Sequence, residues 1–307
     1  MEAMTRTEIR AIVAQHKWRD ALFVALGILA LAIGILTFVA LFVDMAIDGF
    51  GRLSVDFFTN FPSRRAGQAG ILSAWVGSVA VMIVTAAFAV PMGVAAGIYL
   101  EEYAPKNWIT DIIEINVTNL AGVPSIIYGL LAFGLFVYGF GLGQSILTAG
   151  LTLGLLILPI VILTTREAIR AIPGMIREAA YALGATRWQT VQHHIIPYSM
   201  PGILTGIIIG LSRAIGETAP IITIGALTFI AFLPPSPVSM AAPFLSFEWL
   251  MSSFTVMPIQ MFNWTSRPDP AFQANAAAAG LVLVIMTLSM NALAIVLRYR
   301  LRKKLAW

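Results

Sequence analysis

The chain has 307 residues, of which 59% are hydrophobic and only 11% charged, and its mean hydropathy is +0.86. A soluble domain averages about 25% charged residues, so this sequence cannot cover a globule with charge. Lipid must therefore solvate much of its surface. The absence of cysteine excludes disulfides and thiolate metal sites. Two adjacent histidines, His193 and His194, do not make a metal site, so no bound metal is expected.

Six apolar runs are long enough to cross a membrane, since about 20 helical residues span a hydrocarbon core of about 30 Å. The first run is too long for a signal peptide and no small-residue cleavage site follows it, so we expect a retained span. The sequence therefore predicts an all-α membrane protein with one transmembrane domain, residues 21–307, after an N-terminal segment 1–20. The predicted spans are approximately 21–43, 70–100, 122–140, 145–165, 201–229 and 274–297.

The distribution of positive charge predicts the orientation. Segments on the side of the termini carry 14 Lys and Arg residues, whereas those on the other side carry 4. The positive-inside rule then places both termini and the polar loop 166–200 in the cytoplasm. The proline- and aromatic-rich segment 230–273 is external, and part of it is predicted to form a helix in the membrane interface.

The end of the second span leads to two predictions, one from its proline and one from the acidic residues that follow. Pro91 and Gly93 are predicted to bend this span. The loop after it is acidic, and an acidic side chain at a helix C-terminus opposes the helix dipole. We therefore expect Glu101 or Glu102 to have a basic partner in the 166–200 loop; the alternative is a solvated loop charge.

The fifth predicted span contains two charged residues. By helical rise, Arg213 lies about 18 Å and Glu217 about 24 Å from Pro201, which places both within the bilayer. Each such charge costs about 2.5–3.5 kcal/mol on insertion, so an unpartnered pair facing lipid is implausible. At positions i and i+4 the two side chains share a helix face and can touch.

Polar groups surround this pair. Pro220 cannot donate to the carbonyl of Gly216, so we expect a helix break there, and Ser212 and Thr218 add hydroxyls. A guanidinium offers forked donors that suit oxyanions such as phosphate. The patch therefore predicts an anion path through the membrane; the alternative is a buried structural ion pair between spans.

The 166–200 loop is helix-friendly up to Leu183, and Gly184 then interrupts it. A second helical piece, 185–193, is predicted to end before Pro197. Such a helix–glycine–helix pair is a compact docking surface for a protein partner, although an ordinary connector is the alternative.

Within this loop the spacing of five residues resembles the EAA loop of ABC importer permeases, which reads E-A-A-x3-G-x9-I-x-L-P. The chain departs from that pattern with His194 at the usual isoleucine and Ile196 at the usual leucine. The matching residues are Glu178, Ala179, Ala180, Gly184 and Pro197.

Most of the chain also resembles the PstA-type permease subunits of phosphate ABC importers. The segment SRAIGETAP is the more specific signal, because it carries the charged pair, whereas the EAA element marks only an ABC permease. The other similar segments are YLEEYA, GVPSIIYGL, LTLGLLILPIVILTTREAIRAIP and FTVMPIQMFNW.

The resemblance implies a type I ABC importer permease fold (MetI-like) in a bacterial cytoplasmic (inner) membrane. It implies a heterodimer with a second, PstC-type permease, a PstB-type ATPase dimer docked on the EAA loop and a PstS-type periplasmic phosphate-binding protein outside. ATP and Mg²⁺ would be bound by the ATPase chain and no cofactor by this one. The sequence contains no G-x4-G-K-[ST] motif, so this chain is not expected to be an enzyme. No nucleic-acid partner is expected.

These expectations assign three groups of residues, with no catalytic residue and no metal ligand among them. Two alternatives stay open: another oxyanion (sulfate, molybdate or phosphonate), and a membrane scaffold or sensor subunit. A secondary transporter would need an inverted repeat and its own coupling-ion site, and the sequence shows neither. The substrate path is Arg213, Glu217, Ser212 and Thr218; ATPase coupling uses Glu178, Ala179, Ala180, Gly184, Arg187 and Pro197; the helix break is at Gly216 and Pro220.

Overall fold

A computed structural model describes residues 6–238 and 244–305 of the chain, with side chains for 16–238 and 244–300. Residues 1–5, 239–243 and 306–307 lie outside the described residues; they belong to the predicted N-terminal segment, the predicted external segment and the C-terminal tail. Within the described part, secondary structure is helical apart from one isolated bridge between Val238 and Leu245.

Twelve α-helices form the described part of the chain, joined by short 3₁₀ and π-helical turns. They are α1 (Arg6–Gly49), α2 (Val55–Thr59), α3 (Leu72–Ile98), α4 (Trp108–Ala121), α5 (Ser125–Ala132), α6 (Ile146–Arg170), α7 (Gly174–Ala182), α8 (Arg187–Thr190), α9 (Ile196–Gly216), α10 (Ala219–Ile224), α11 (Met257–Thr265) and α12 (Ala271–Leu305).

Five continuous helical stretches in the described residues are long and apolar enough to cross a membrane, and a sixth is a pair of helices bent by 106°. This agrees with six predicted spans and confirms the all-α fold class. Pro91 lies inside α3 without ending it. The stretches are His16–Arg52, Leu72–Tyr103, Ile146–Arg170, Arg187–Gly216, Ala271–Arg300 and the pair Trp108–Ala121 with Ser125–Gly139.

The segment before the third span is a helix, where the sequence analysis expected a loop at 101–121. The side chain of Asn107 accepts a hydrogen bond from the Thr110 N–H at 3.0 Å and so caps the start of α4. Pro124 then precedes α5, and a proline disfavours helical backbone in the residue before it, which accounts for a bend between the two helices.

The fifth span also differs from the prediction of one helix over 201–229. Helix α9 ends at Gly216, and Glu217 has extended backbone, with φ −74° and ψ 128°. The chain becomes helical again in α10 and stops at Gly225, whose φ of +97° favours glycine. The predicted span therefore contains a long helix, a break and a short helix.

Helix α9 begins earlier than predicted, because Arg187–Gly216 forms one continuous helical stretch. The predicted end before Pro197 is wrong. A π-turn over Val191–Ile195 precedes the proline, and the N–H of Ile196 donates to the carbonyl of Val191. Pro197 is the second residue of α9 and donates no backbone hydrogen bond to the preceding turn.

Helix α6 lies at the centre of the bundle, between α3 and α9. Glycines four residues apart form the contacts, and a Cβ on any of them would collide with the facing helix. Small residues at this spacing let helix backbones approach closely in a membrane, where packing rather than the hydrophobic effect holds helices together. The contacts join Gly93 and Gly97 of α3 to α6, Gly150 and Gly154 of α6 to α3, and Gly202 and Gly206 of α9 to α6.

The helix bundle has two ends, called here the loop face and the opposite face. The loop face is the end at which residues 166–200 lie, and the opposite face is the end at which α2 and α11 lie. The described part of the region predicted as external is mostly irregular, and the helix predicted within it is limited to a 3₁₀ turn over Glu248–Met251 and to α11, which has Pro258 in its first turn. Helix α1 contacts α12 near the opposite face, where Gly49 lies against Ala278.

Gly206→Val tests the α6–α9 contact. A side chain at this position would collide with the hydroxyl of Thr164, and overpacking of this kind costs about 1–3 kcal/mol. We expect a lower Tm for the purified chain in detergent. Gly27→Val on α1 is the matched control, because no atom lies within 4 Å of the position. Equal melting temperatures for the two variants would show that the close contact does not stabilise the bundle.

Candidate functional site

The charged pair lies at the end of α9. Arg213 occupies its last turn and Glu217 follows the helix directly, and Nε of Arg213 donates to Oε1 of Glu217 at 3.1 Å. The side chain of Arg213 is 37% exposed and that of Glu217 is 18% exposed. The terminal guanidinium nitrogens of Arg213 make no hydrogen bond within the described part of the chain. The four N–H donors of these two nitrogens therefore remain available beside a carboxylate that holds the group in place.

The helix break positions this pair. The N–H of Glu217 donates to the carbonyl of Ala214 at 3.2 Å, a tight turn that ends α9. Pro220 sits in the first turn of α10, where the absence of its N–H leaves no helical bond unmade. The backbone thus changes direction at Glu217 and Thr218, inside a segment otherwise apolar enough to cross a membrane.

A small cavity of about 10 Å³ lies beside Glu217. A cavity of this size holds about one water molecule. Its lining includes Ser78, Val81 and Met82 of α3 and Val256, which precedes α11. The Glu217 carboxylate therefore lies next to residues of the central helix α3 and next to the segment that leads into α11 at the opposite face.

The two hydroxyl residues predicted beside the pair lie in different places. Ser212 lies within hydrogen-bonding distance of the Ile208 carbonyl and of Oδ1 of Asn291 on α12. It therefore joins α9 to α12. Thr218 lines a separate groove of about 610 Å³ between α10, α11 and α12, together with Phe262.

The predicted coupling loop contains two well-defined helix ends. Gly184 has a φ of +83° and follows the end of α7, and the N–H of Ala185 donates to the carbonyl of Ala180 at 3.0 Å. This is the hydrogen bonding of a Schellman turn. Thr186 then begins α8 through reciprocal side-chain bonds with Gln189, a capping box.

The surface of this loop is partly apolar and exposed. Met175 is 74% exposed, Leu183 90% and Trp188 58%. Glu178 is exposed and forms no hydrogen bond or ion pair within the described residues. Ala180 is buried against the bundle, whereas Ala179 lies on the exposed side of α7. Apolar side chains grouped on an exposed loop are typical of a protein-binding surface.

Basic residues near the loop pair with the acidic residues that follow α3. Glu101 accepts two hydrogen bonds from Arg170, at 3.2 and 3.0 Å. Glu102 accepts from Nε and a terminal nitrogen of Arg177, at 2.9 and 2.6 Å. The expected basic partners for Glu101 and Glu102 are therefore confirmed.

Two further contacts complete this region. Arg166 is buried and pairs with Glu114 of α4 at 2.5 Å, which ties the helix missed by the sequence analysis to α6. Arg187 of α8 lies over the ring of Tyr103, 5.8 Å from its centre, within the range of a cation–π contact. The charge of Glu114 and the Asn107 cap were signals in the sequence that could have located α4.

The chain resembles known proteins in both sequence and fold. A family model described as "Binding-protein-dependent transport system inner membrane component" matches residues 89–307. A probable ABC transporter permease, YqgI of Bacillus subtilis, is 32% identical over 83% of this chain and 87% of its own length. The phosphate transport system permease PstA 1 of Mycobacterium tuberculosis H37Rv is 32% identical, over 78% of this chain and 72% of its own.

The chain is also similar to another PstA protein and to solved structures of ABC transporters. PstA of Yersinia pestis is 29% identical over 92% of this chain and 90% of its own length. The structure of a bacterial alginate ABC importer superposes with a TM-score of 0.61 at 16% identity, over 94% of this chain and 98% of that chain. The inward-facing methionine transporter MetNI superposes at 0.55 and 18% identity, over 73% of this chain and 93% of that one.

These matches confirm the fold and the resemblance to PstA-type permeases. The structural neighbours share the arrangement of helices described above, which is the type I ABC importer permease (MetI-like) fold. The chain belongs to the family of binding-protein-dependent transport system inner membrane components, and it is a multi-pass permease subunit of an ABC importer.

Proposed function

We propose that this chain is the PstA-type subunit of an ATP-driven importer of inorganic phosphate. The observation that carries the proposal is the Arg213–Glu217 pair at the break after α9, with two guanidinium nitrogens that bond to none of the described residues. The names of the Mycobacterium tuberculosis and Yersinia pestis relatives support phosphate as the solute.

The chemistry of the pair suits a tetrahedral oxyanion. Charge in a span is costly, so an arginine retained there with unused donors indicates a task other than packing. A guanidinium binds phosphate through two parallel N–H donors. Glu217 occupies Nε and leaves the terminal nitrogens for the solute. Its negative charge also opposes tight anion binding, which lets a transported ion leave.

The partners follow from the same proposal. Residues 166–200 and both termini face the cytoplasm, where a PstB-type ATPase dimer docks on the exposed surface around Glu178 and Leu183. A PstC-type permease completes the path, and a PstS-type binding protein delivers phosphate to the external side. ATP and Mg²⁺ stay in the ATPase chains, and this chain supplies the path and the coupling surface.

The solute is tested in proteoliposomes that contain the chain with its candidate partners. We expect ATP-driven uptake of phosphate that depends on the binding protein, with sulfate, molybdate and phosphonate competing weakly. Uptake of one of these competitors in place of phosphate would reassign the solute. A complex that assembles and moves none of the four would support the scaffold alternative.

Arg213→Gln tests the path. Loss of a charge-assisted contact of about 1.5–3 kcal/mol should lower uptake by about tenfold or more, while membrane assembly stays intact. Arg300→Gln, which removes an exposed arginine from the end of α12, is the matched control and should transport normally.

The double variant Arg213→Glu with Glu217→Arg separates the path from a structural pair. A structural ion pair tolerates reversal of its two charges, so uptake would recover. An arginine that binds the solute from its own position does not, so uptake should stay low. Recovery in the double variant, or normal uptake by Arg213→Gln, would rule out the anion path.

Two loop variants test ATPase docking. Proline cannot adopt the φ of +83° found at Gly184, so Gly184→Pro should distort the turn, whereas Gly184→Asn should be tolerated. Glu178→Arg reverses an exposed charge, with Asp20→Arg on α1 as its control. We expect Gly184→Pro and Glu178→Arg to reduce both transport and co-purification of the ATPase severalfold. Normal ATPase recovery with both would exclude this loop as the docking site.

A further inference from the structure

The last turn of the second span is a π-helix over Tyr99–Tyr103, and the proposed function assigns it no role. The N–H of Ala104 donates to the carbonyl of Tyr99 at 2.8 Å, which closes the wider turn. Single π-turns of this kind occur frequently at functional sites. This one lies at the loop face, directly beside the coupling loop.

Three consecutive residues of this turn contact three successive parts of the loop region. Glu101 pairs with Arg170 at the end of α6, and Glu102 pairs with Arg177 in α7. The ring of Tyr103 lies under Arg187 of α8. The end of α3 is therefore attached to both helices of the loop that the ATPase would displace.

The Glu102–Arg177 pair is the firmest of these contacts. The side chain of Glu102 is only 6% exposed and that of Arg177 is 21% exposed. Arg177 also donates to the carbonyls of Ile172 and Ile169, at 3.0 and 3.2 Å. Removal of one partner from a buried ion pair is strongly unfavourable, so α7 cannot separate from α3 without loss of this contact.

The other end of α3 holds the segment that leads into α11. The N–H of Met257 donates to Oγ of Ser78 at 2.8 Å, and both groups are buried. Gly77 lies so close to the carbonyl of Thr255 that a Cβ there would collide with it. Ser78 also lines the small cavity beside Glu217. One helix of 27 residues, about 40 Å long, thus connects the coupling loop with α11 and with the charged pair.

We propose that Glu102 and Ser78 are positioning residues of the transport cycle, and that α3 carries movement of the coupling loop to α11 and to the surroundings of Glu217. A second route for the same movement runs along the chain itself, because the loop continues directly into α9. It rests on the proposed function only in taking residues 166–200 as the ATPase docking site. Glu102 fixes α3 to the loop, and Ser78 fixes α3 to the opposite face.

The test measures a distance across the opposite face in the assembled complex. The chain contains no cysteine, so spin labels can be attached at Thr265→Cys in α11 and Phe140→Cys before α6, both exposed positions. The label–label distance is compared in nucleotide-free and ATP-bound complexes that carry a hydrolysis-deficient ATPase. We expect ATP to change the distance with an otherwise native chain, and Glu102→Gln and Ser78→Ala each to abolish the change while the ATPase remains bound.

One additional variant separates transmission from folding. Glu102→Asp keeps the charge opposite Arg177 with a shorter reach, so the ATP-dependent change should be retained in reduced form, whereas a nonspecific packing defect at this position would abolish it. Glu167→Gln is the control: its side chain is 70% exposed on the loop face and, among the described residues, its one ion pair is with Arg170, so the change should be native.

A second readout follows in proteoliposomes, where Glu102→Gln and Ser78→Ala should raise the amount of ATP hydrolysed per solute transported.

A native distance change in both variants would overturn the inference, and so would an unchanged label–label distance on ATP binding with the otherwise native chain. The distance measurement needs no solute, so it stays informative if the solute is not phosphate. A wrong docking site is detected separately, by normal ATPase recovery with Gly184→Pro.

Discussion

Hydrocarbon offers no hydrogen bonds, so backbone amides and charged side chains within the spans must find their partners inside the protein. Helices meet this requirement along most of the described chain. The exception after Gly216 breaks the helix beside Arg213 and Glu217, where the two side chains bind each other and a water-sized cavity adjoins the carboxylate. A charged pair and an interrupted backbone are tolerated in the same place because the two charged side chains bind each other and the N–H of Glu217 finds a partner in the carbonyl of Ala214.

Close packing of three helices fixes the position of the charged pair. Glycines such as Gly97, Gly154 and Gly206 bring α3, α6 and α9 into backbone contact, so the three helices form one central layer. Two connections leave that layer at the loop face: the continuous helix from Arg187 into α9, and the side-chain contacts at the end of α3. A permease needs its loop and its path to move together, and the central layer provides both connections.

Several features followed from local chemistry and were therefore predictable. Six apolar runs agree with the six possible spans, because span length is set by bilayer thickness. The backbone breaks just before Pro220, which has no N–H to continue the hydrogen bonding of α9, and it turns at Gly184, since glycine tolerates a positive φ that other residues rarely adopt. A basic partner for Glu101 was expected because an acidic side chain at a helix end is unfavourable without one.

Other features depended on contacts between distant residues. Nothing near Ser212 in the sequence shows that it faces Asn291 on α12, 79 residues away, because the rotation of α9 is set by glycine contacts with α6. Helix continuity through Pro197 depended on a π-turn that local propensity does not encode. The sequence by itself determined which segments enter the membrane and where a charge occurs in them. Only the tertiary structure decided which groups meet that charge, since helix packing selects one face of each span.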